Sequence, residues 1–346
     1  MHSESPVPVK FNGQGKDYFR IWIVNVLLSL ITLGVYSAWA KVRRMHFFYR
    51  HTSLAGSVFD YHGAPRAILK GRIIATALLA IHHFASRSSP LLAGLALIVL
   101  MAAMPWLVHR SLGFRLRNSS YRGLRFAFRG TLGQAYRVFL VYPFLTILSC
   151  GLAVPWWVRQ LKVYQYGNTE FGDQRFECAM PVGRVYGIYA LAALTGLGVM
   201  ALFMLMGGLG LVWLNAQGEA NAPLVKAGVV LWIMLVYVLL FFGVGPFIQA
   251  RLQNAVWSTL SIDEHRFESR VSGLRLAWIS ISNLMLTVLT LGLFRPFAEV
   301  RTLRYRLESI TLLPAGGLDA FIQGAGADQA ALGEETAEMF DFDLAL

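Results

Sequence analysis

Charged residues are scarce in this chain: Asp, Glu, Lys and Arg make up 14% of its 346 residues, while 56% are hydrophobic. A soluble domain usually carries about 25% charged residues. Residues 88–109, 185–218 and 227–250 contain none of these four residue types, and about 20 apolar residues suffice to cross a bilayer. The scarcity of charge therefore excludes a soluble globular protein and predicts several membrane crossings.

Cysteines and a cleavable leader are also lacking. The two cysteines, Cys150 in an apolar stretch and Cys178 in a loop, form neither a disulfide framework nor a metal-binding spacing. Residues 1–17 are polar and lack the basic region, the short apolar core and the small-residue cleavage site of a signal peptide. We therefore expect the first apolar segment to be retained in a multi-pass protein of a bacterial inner membrane.

Enzyme motifs are missing as well. The sequence contains no Walker loop, no GxSxG elbow and no dinucleotide-binding glycine pattern, and His46 and His51 lack the Glu of an HExxH zinc site. The apolar segments contain no Asp or Glu, which counts against a proton-coupled carrier. His82 and His83 do lie in an apolar segment, where a proton relay and a structural role both stay open. We predict no catalytic residue, no cofactor, no metal site and no enzyme activity.

Positive charge, in contrast, is plentiful. The net charge is +12, and no Lys or Arg follows Arg306, so the basic part of the chain precedes an acidic tail. A nucleic-acid partner would require a base-reading module or a soluble basic domain, and neither is visible. Loops beside a membrane explain the charge better. The expected partners are the lipid bilayer and its anionic headgroups, with no nucleic acid.

A polar pattern recurs inside three of the apolar segments, with polar residues at offsets 0, +4 and +7 and a glycine at +9. These three polar offsets share one face of an α-helix, so each copy carries a polar stripe. The stripe residues are Asn25, Ser29, Thr32 and Gly34, then Thr146, Ser149 and Gly151, with Tyr142 at the position of the Asn, and finally Asn283, Thr287, Thr290 and Gly292. Recurrence of this kind indicates internal repeats.

The stripes have two interpretations. Their side chains could line a polar pathway between the repeats, because lipid cannot satisfy polar groups. They could instead allow close helix packing, with the hydroxyls bonded to backbone carbonyls. Tyr142 in place of Asn argues against a strictly symmetric binding site.

The positions of Lys and Arg favour an unusual topology. The seven apolar elements span about 18–40, 68–86, 90–109, 136–158, 185–214, 225–250 and 277–297. If elements one, four and seven enter and leave on the same side, all but Arg87 and Lys226 of the 31 basic residues become cytoplasmic, as the positive-inside rule prefers. The acidic tail is then cytoplasmic too. Seven full spans remain an alternative, because the three elements are long enough to cross.

These patterns predict an all-α polytopic membrane protein with internal repeats. It contains two transmembrane hairpins, three repeated broken or re-entrant elements and small cytoplasmic β segments. The β segments are expected at Thr52–Gly63, Ser119–Arg129, Thr169–Cys178 and Trp257–Val271. The domains are a polar N-terminus at 1–17, repeat 1 at 18–130, repeat 2 at 131–275, a partial repeat 3 at 276–312 and an acidic, disordered tail at 313–346.

One phrase of the sequence is specific. It runs from Thr32 to Arg43 as Thr-Leu-Gly-Val-Tyr-Ser-Ala-Trp-Ala-Lys-Val-Arg, and Phe11-Asn-Gly precedes it. With these residues and a closing Glu334–Asp343 segment, the chain resembles the YjgN-like family of bacterial inner-membrane proteins of unknown function. The resemblance covers nearly the whole chain and implies a multi-pass inner-membrane protein. It supplies no substrate and no catalytic residue.

The segment after each stripe mixes aromatic and cationic residues, as in a helix at the headgroup boundary. Each Lys or Arg there gains roughly 1 kcal/mol from anionic lipid. Plain membrane anchoring and a dedicated headgroup pocket are both open. The predicted headgroup contacts are Lys41, Arg43, Arg44, Arg159, Lys162, Arg301 and Arg304.

Two functions remain in consideration. The first is a non-enzymatic, transport-like membrane protein with a polar-lined core between the repeats. The alternative is a membrane-organising or partner-binding scaffold that uses the basic loops and the acidic tail.

Overall fold

Helices make up most of the computed structural model, which describes residues 5–215, 222–318, 321, 322 and 324. The helices are α1 (Gly15–Ile31), α2 (Ser37–Arg50), α3 (Pro65–Ser88), α4 (Pro90–Arg117), α5 (Leu132–Tyr136), α6 (Tyr142–Leu148), α7 (Val154–Tyr166), α8 (Val182–Asn215), α9 (Ala222–Leu239), α10 (Gly245–Trp257), α11 (Gly273–Leu289) and α12 (Arg295–Glu308). π-Helical turns at Arg137–Val141 and Leu240–Val244 join α5 to α6 and α9 to α10.

Short strands lie between the helices. They are β1 (Val7–Pro8), β2 (Lys10–Phe11), β3 (Thr52–Leu54), β4 (Ser57–Tyr61), β5 (Ser119–Tyr121), β6 (Leu124–Phe128), β7 (Thr169–Phe171), β8 (Gln174–Cys178), β9 (Leu260–Ile262), β10 (His265–Ser269) and β11 (Ile310–Leu313). Over the described residues they form one 11-stranded sheet in the order β1-β11-β10-β9-β8-β7-β6-β5-β4-β3-β2.

The sheet curls into a nearly closed barrel. Its two edge strands, β1 and β2, are separated along the chain by Val9 alone. The amide of Val9 donates to the carbonyl of Ile310 at 3.0 Å, which extends the pairing with β11 from β1 to the residue just before β2. A strand needs about 9–11 residues to cross a bilayer, and these strands are far shorter. The barrel is therefore not itself a membrane-spanning structure.

Tight hairpins build the barrel. Ala55 and Gly56 connect β3 to β4, and Arg122 and Gly123 connect β5 to β6; all four residues have positive φ. Two-residue turns with positive φ match the right-handed twist of antiparallel strands, and glycine adopts this conformation without strain. Each hairpin then pairs with the next one, as where Phe59 of β4 lies opposite Tyr121 of β5.

The barrel contradicts the predicted all-α fold with small β segments. The four predicted β segments do contain β3–β4, β5–β6, β7–β8 and β9–β10. Pairing of one hairpin with the next joins residues 41 to 86 positions apart, from Phe128 with Thr169 to Phe176 with Ile262, and local alternation carries no information about such pairing. Strands β1, β2 and β11 were not predicted, because a strand of two to four residues has almost no periodicity.

Apolar side chains line the interior of the barrel. The buried set is Val9, Leu54, Tyr121, Phe171, Ile262, Ile310 and Leu312. Leu318, Phe321 and Ile322 follow β11 and pack against this core. They belong to the region predicted as a disordered tail at 313–346; residues 319, 320, 323 and 325–346 lie outside the described residues.

Within the described residues, four helical segments are long and apolar enough to cross a membrane. They are Pro65–Ser88, Pro90–Arg117, Val182–Gly208 and Ala227–Trp257. In chain order they form two pairs, α3 with α4 and α8 with the α9–α10 segment. The described residues thus combine four helical segments able to cross a membrane with a barrel built from segments that connect the helices.

The three stripe-bearing segments are helical hairpins: α1 turns into α2, α6 into α7, and α11 into α12. Helices α1 and α11 have 17 residues each, about 25 Å at 1.5 Å per residue, which is shorter than the ~30 Å apolar core of a bilayer. Each turn contains a residue at φ 49–50° followed by a glycine at φ 87–91°. Glycine adopts this left-handed conformation at no steric cost.

Candidate functional site

The stripe residues at offset +7 stabilise the turns of the three helical hairpins through hydrogen bonds. The hydroxyl at offset +7 accepts a hydrogen bond from the backbone N–H four residues later. These bonds run from Tyr36 N to Thr32 Oγ1 (2.9 Å), from Ala153 N to Ser149 Oγ (3.0 Å) and from Phe294 N to Thr290 Oγ1 (2.9 Å). Each hydroxyl therefore satisfies a backbone N–H at the start of the second helix of its hairpin, as side-chain oxygens do at helix N-termini.

The stripe glycines stabilise the same turns through their backbone N–H groups. Each glycine N–H donates to the carbonyl five residues earlier, from Gly34 to Ser29 (2.7 Å), from Gly151 to Thr146 (2.8 Å) and from Gly292 to Thr287 (2.7 Å). A bond of this type satisfies a carbonyl that the helix end leaves without a partner. Thr146 and Thr287 also donate their hydroxyls to the carbonyls of Tyr142 and Asn283. These stripe residues bond to the backbone of their own hairpins.

Asn283 links the two helices of the third hairpin. Its side-chain Nδ2 donates to the carbonyl of Ala298 at 3.2 Å and to Thr302 Oγ1 at 3.0 Å. Its Oδ1 accepts from Arg301 Nη1 at 3.2 Å. Asn283 is buried, so these bonds satisfy an amide that would otherwise be costly inside the protein.

Asn25 occupies the corresponding place in the first hairpin, but its environment differs. The residue is 7% exposed, and its Oδ1 has no hydrogen-bond partner. Thr302, nineteen residues after Asn283, corresponds to Arg44 here, and Arg44 pairs with Glu299 of α12 instead. A buried acceptor without a partner is uncommon in native proteins and requires an explanation.

Asn25 lines a cavity of about 710 Å³, which we call the hairpin cavity. Helices α1, α2, α3 and α12 surround it. Its polar lining residues are Tyr18, Asn25, Ser29, Ser37, Lys41, Arg44, Arg72, Arg295 and Glu299, with Gly34 at the turn. Trp22, Leu30 and Leu33 supply part of its apolar wall. The cavity is therefore amphipathic.

Cations outnumber acids in the hairpin cavity. Four cationic side chains line it (Lys41, Arg44, Arg72 and Arg295) against one carboxylate, Glu299. Burial lowers the pKa of the Lys41 ammonium, and the neighbouring guanidiniums lower it further. Arrangements of this kind attract anions, above all phosphates and carboxylates.

Glu299 is already engaged within the cavity. It forms an ion pair with Arg44 and accepts a hydrogen bond from Tyr18 Oη at 2.7 Å. Burial and the bond to Glu299 raise the pKa of the Tyr18 hydroxyl, which stays protonated and donates. Arg72 donates to Ser37 Oγ at the turn. The hairpin cavity thus carries an excess of cationic over acidic side chains.

The structure separates the predicted headgroup contacts. Lys41 and Arg44 line the hairpin cavity. The others lie elsewhere: Arg43 over the ring of Tyr36, Lys162 over Tyr166, Arg159 on the Met180 carbonyl, Arg301 on Ser282 and Asn283, and Arg304 on the Gly13 carbonyl. Three of these arginines therefore have structural partners.

Arg72, Arg295 and Glu299 were missed from the sequence. Arg72 begins the predicted first transmembrane hairpin, and Arg295 follows the third stripe. Both approach the first stripe only because α3 packs against α2 and α12 packs against α1. Spacing along the chain could not reveal this.

Comparison with known proteins identifies the family. A model of bacterial proteins of unknown function, DUF898, matches residues 6–339. The chain belongs to the DUF898 family. An inner membrane protein YjgN from Salmonella typhimurium is 24% identical over 337 residues, which is 84% of each chain. YjgN proteins of two Escherichia coli strains are each 26% identical over 147 residues, 41% of this chain and 36% of theirs.

The resemblance noted in the sequence is thus confirmed. No solved structure matches this DUF898 chain. The relatives are named inner membrane proteins, and the four apolar helices of the described residues agree with a membrane protein. Its molecular function has to be inferred from the geometry of the site.

Proposed function

We propose that this DUF898 protein is a non-enzymatic inner membrane protein that binds the headgroup of an anionic phospholipid in the hairpin cavity. The observation that carries the proposal is the buried, unpartnered Asn25 Oδ1 beside four cations. The cations suit phosphate oxygens, while Oδ1 needs a donor. A phosphate that bears a hydroxylated substituent offers both, so phosphatidylglycerol is the fitting lipid.

This proposal refines the transport-like hypothesis. The first stripe lines the hairpin cavity through Asn25, Ser29 and Gly34, whereas the hydroxyls of the other two stripes bond within their own hairpins. We therefore propose one lipid site at the first hairpin in place of a shared pathway. The common turn geometry supports an origin of the three hairpins by internal duplication, followed by divergence at Asn25.

Binding of dioctanoyl phosphatidylglycerol to the purified full-length protein in neutral detergent tests the proposal. We expect it to bind at least about tenfold more tightly than the phosphatidylcholine analogue, because charge-assisted bonds are the stronger ones. Arg295→Gln should weaken binding about tenfold. Arg43→Gln is the matched control, because Arg43 lies over Tyr36, and it should leave affinity unchanged.

The variant Asn25→Leu, titrated in the same way, tests the proposed hydrogen bond between the lipid hydroxyl and the Asn25 side chain. The wild type should prefer phosphatidylglycerol to phosphatidylmethanol, a phosphodiester of the same charge without a headgroup hydroxyl, and the variant should bind the two equally. Equal binding of phosphatidylglycerol and phosphatidylcholine by the wild type would refute the proposal.

We also propose that the barrel faces the cytoplasm, together with the ends of the three helical hairpins that lie opposite their turns. This orientation places nearly all basic residues inside. In a background with Cys150 and Cys178 replaced by Ser, Val58→Cys and Asp173→Cys should resist an impermeant maleimide in intact cells and react after permeabilisation. Ser88→Cys, at the α3–α4 tip, should react without permeabilisation. Labelling of residue 58 or 173 in intact cells would contradict this topology.

A membrane-organising scaffold is the second candidate, and the hairpin tips favour it. Leu33 is 95% exposed, Leu291 94% and Leu152 76%, so each turn presents leucine to its surroundings. Apolar tips beside cationic helices suit insertion into one leaflet. The acidic tail on which a partner-binding role also depends lies mostly outside the described residues.

A further inference from the structure

A second cavity lies inside the barrel, apart from the hairpin cavity. Its volume is about 330 Å³, within the 300–1,000 Å³ range typical of ligand pockets. Its walls are mostly aromatic and aliphatic and include Phe59, Phe126, Phe176, Trp257, Phe267 and Leu260. We call it the barrel cavity.

The chain itself closes one end of the barrel cavity. Phe321 packs edge-on against His265, with 4.7 Å between ring centroids, and lies over Phe171 at 6.4 Å. His265 Nδ1 accepts a hydrogen bond from the amide of Ala315 at 3.2 Å, which fixes the start of this closing segment. Leu318 and Ile322 also line the cavity. This end is apolar.

The opposite end is cationic. Arg115, at the end of α4, lines the cavity beside Tyr166 of α7. Lys162 lies 6.0 Å from the centroid of the Tyr166 ring. Arg306 of α12 donates to Gln253 Oε1 at 2.7 Å. Arg115 therefore lines this end of the cavity, and Lys162 lies over the ring of Tyr166, which also lines it.

These cations are close enough to affect each other. Burial lowers the pKa of the Lys162 ammonium, and the charges of Arg306 and Arg115 lower it further. Arg115 and Arg306 also act on the Tyr166 hydroxyl, whose pKa burial raises. Like charges brought together away from water cost free energy, and a bound anion would offset that cost.

We propose that the barrel cavity binds a long-chain carboxylate, with its hydrocarbon chain among the aromatic residues and its carboxylate at Arg115 and Lys162. The guanidinium of Arg115 suits a carboxylate, which it can bind through two parallel hydrogen bonds. The small volume favours a single acyl chain over a two-chain phospholipid. This site is independent of the proposed phospholipid site, so either can fail alone.

The experiment uses purified full-length protein in neutral detergent and 11-(dansylamino)undecanoic acid as the probe. Energy transfer from Trp257 to the dansyl group reports occupancy of the barrel cavity. Its contribution is the energy transfer that the wild type shows and Trp257→Phe lacks. Oleate should displace the probe. Arg115→Gln should weaken binding of the acid about tenfold, as expected for loss of a charge-assisted pair, and should leave binding of the matching uncharged alcohol unchanged.

Three further variants complete the test. Arg266→Gln, an exposed site on β10, should bind the acid like the wild type. Leu260→Phe, which fills the cavity, should weaken binding of acid and alcohol alike. Lys162→Gln repeats the charge test if Arg115→Gln does not fold. Equal affinity of wild type and charge variants for the acid, or unchanged binding by Leu260→Phe, overturns the proposal.

Discussion

Replacing Asn283 with Leu is expected to lower the free energy of unfolding by about 2–4 kcal/mol, whereas the same change at Asn25 leaves it unchanged or raises it by about 1 kcal/mol. Asn283 satisfies Thr302 and Arg301 in a buried setting, and Leu would leave both groups without that partner. Asn25 carries a buried oxygen with no partner, so its removal abolishes a desolvation cost.

The two variants are matched controls for each other, because both put Leu at the same position of a helical hairpin. Stability is measured by denaturing the purified protein in lipid-free mixed micelles and following tryptophan fluorescence. A loss of more than about 1 kcal/mol in Asn25→Leu would mean that this amide stabilises the fold. The hairpin cavity would then lose its main evidence as a ligand site.

Replacing Phe171 with Ala should cost about 3–5 kcal/mol, the range for removing a buried aromatic ring. Phe171 is 5% exposed and contacts Phe126, with 5.0 Å between ring centroids. It also lies beside Tyr121 and beneath Phe321. The cavity left by Ala would separate the β7 hairpin from its neighbours and loosen the closing segment.

Val58→Ala is the control for Phe171→Ala. Val58 lies on β4 and is 53% exposed, so its truncation should change stability by no more than about 0.5 kcal/mol. Both variants are compared in the same denaturation assay. A cost below about 1 kcal/mol at Phe171 would show that the barrel interior is not a packed core.

Local features of the fold were predictable from the sequence. The glycine at offset +9 of each stripe marks the turn of each helical hairpin, because Gly34, Gly151 and Gly292 all adopt positive φ. Alternating residues located the β-hairpins. The barrel was missed, because its closure depends on pairing between hairpins and on strands too short to show a period.

The candidate site was predictable only in part. Asn25 was found because a polar residue in an apolar helix is conspicuous in a sequence. That it differs from Asn283 could not be found, because it depends on side-chain placement: Arg301 donates to Asn283 Oδ1, whereas Arg43, the corresponding residue of the first hairpin, lies over the ring of Tyr36. The barrel cavity was also invisible, since Arg115 and Lys162 lie on helices far apart in sequence.

The pairing of the first strand with the last has a consequence for biosynthesis. Strand β1 pairs with β11, so Val7 lies opposite Leu312. The ribosome makes β1 first, yet its partner emerges only after all four candidate membrane-crossing segments have been translated. The nascent protein must therefore carry an unsealed sheet through the whole of membrane insertion. An unpaired edge is prone to aberrant association, and a chain stopped before Ile310 would keep that hazard permanently.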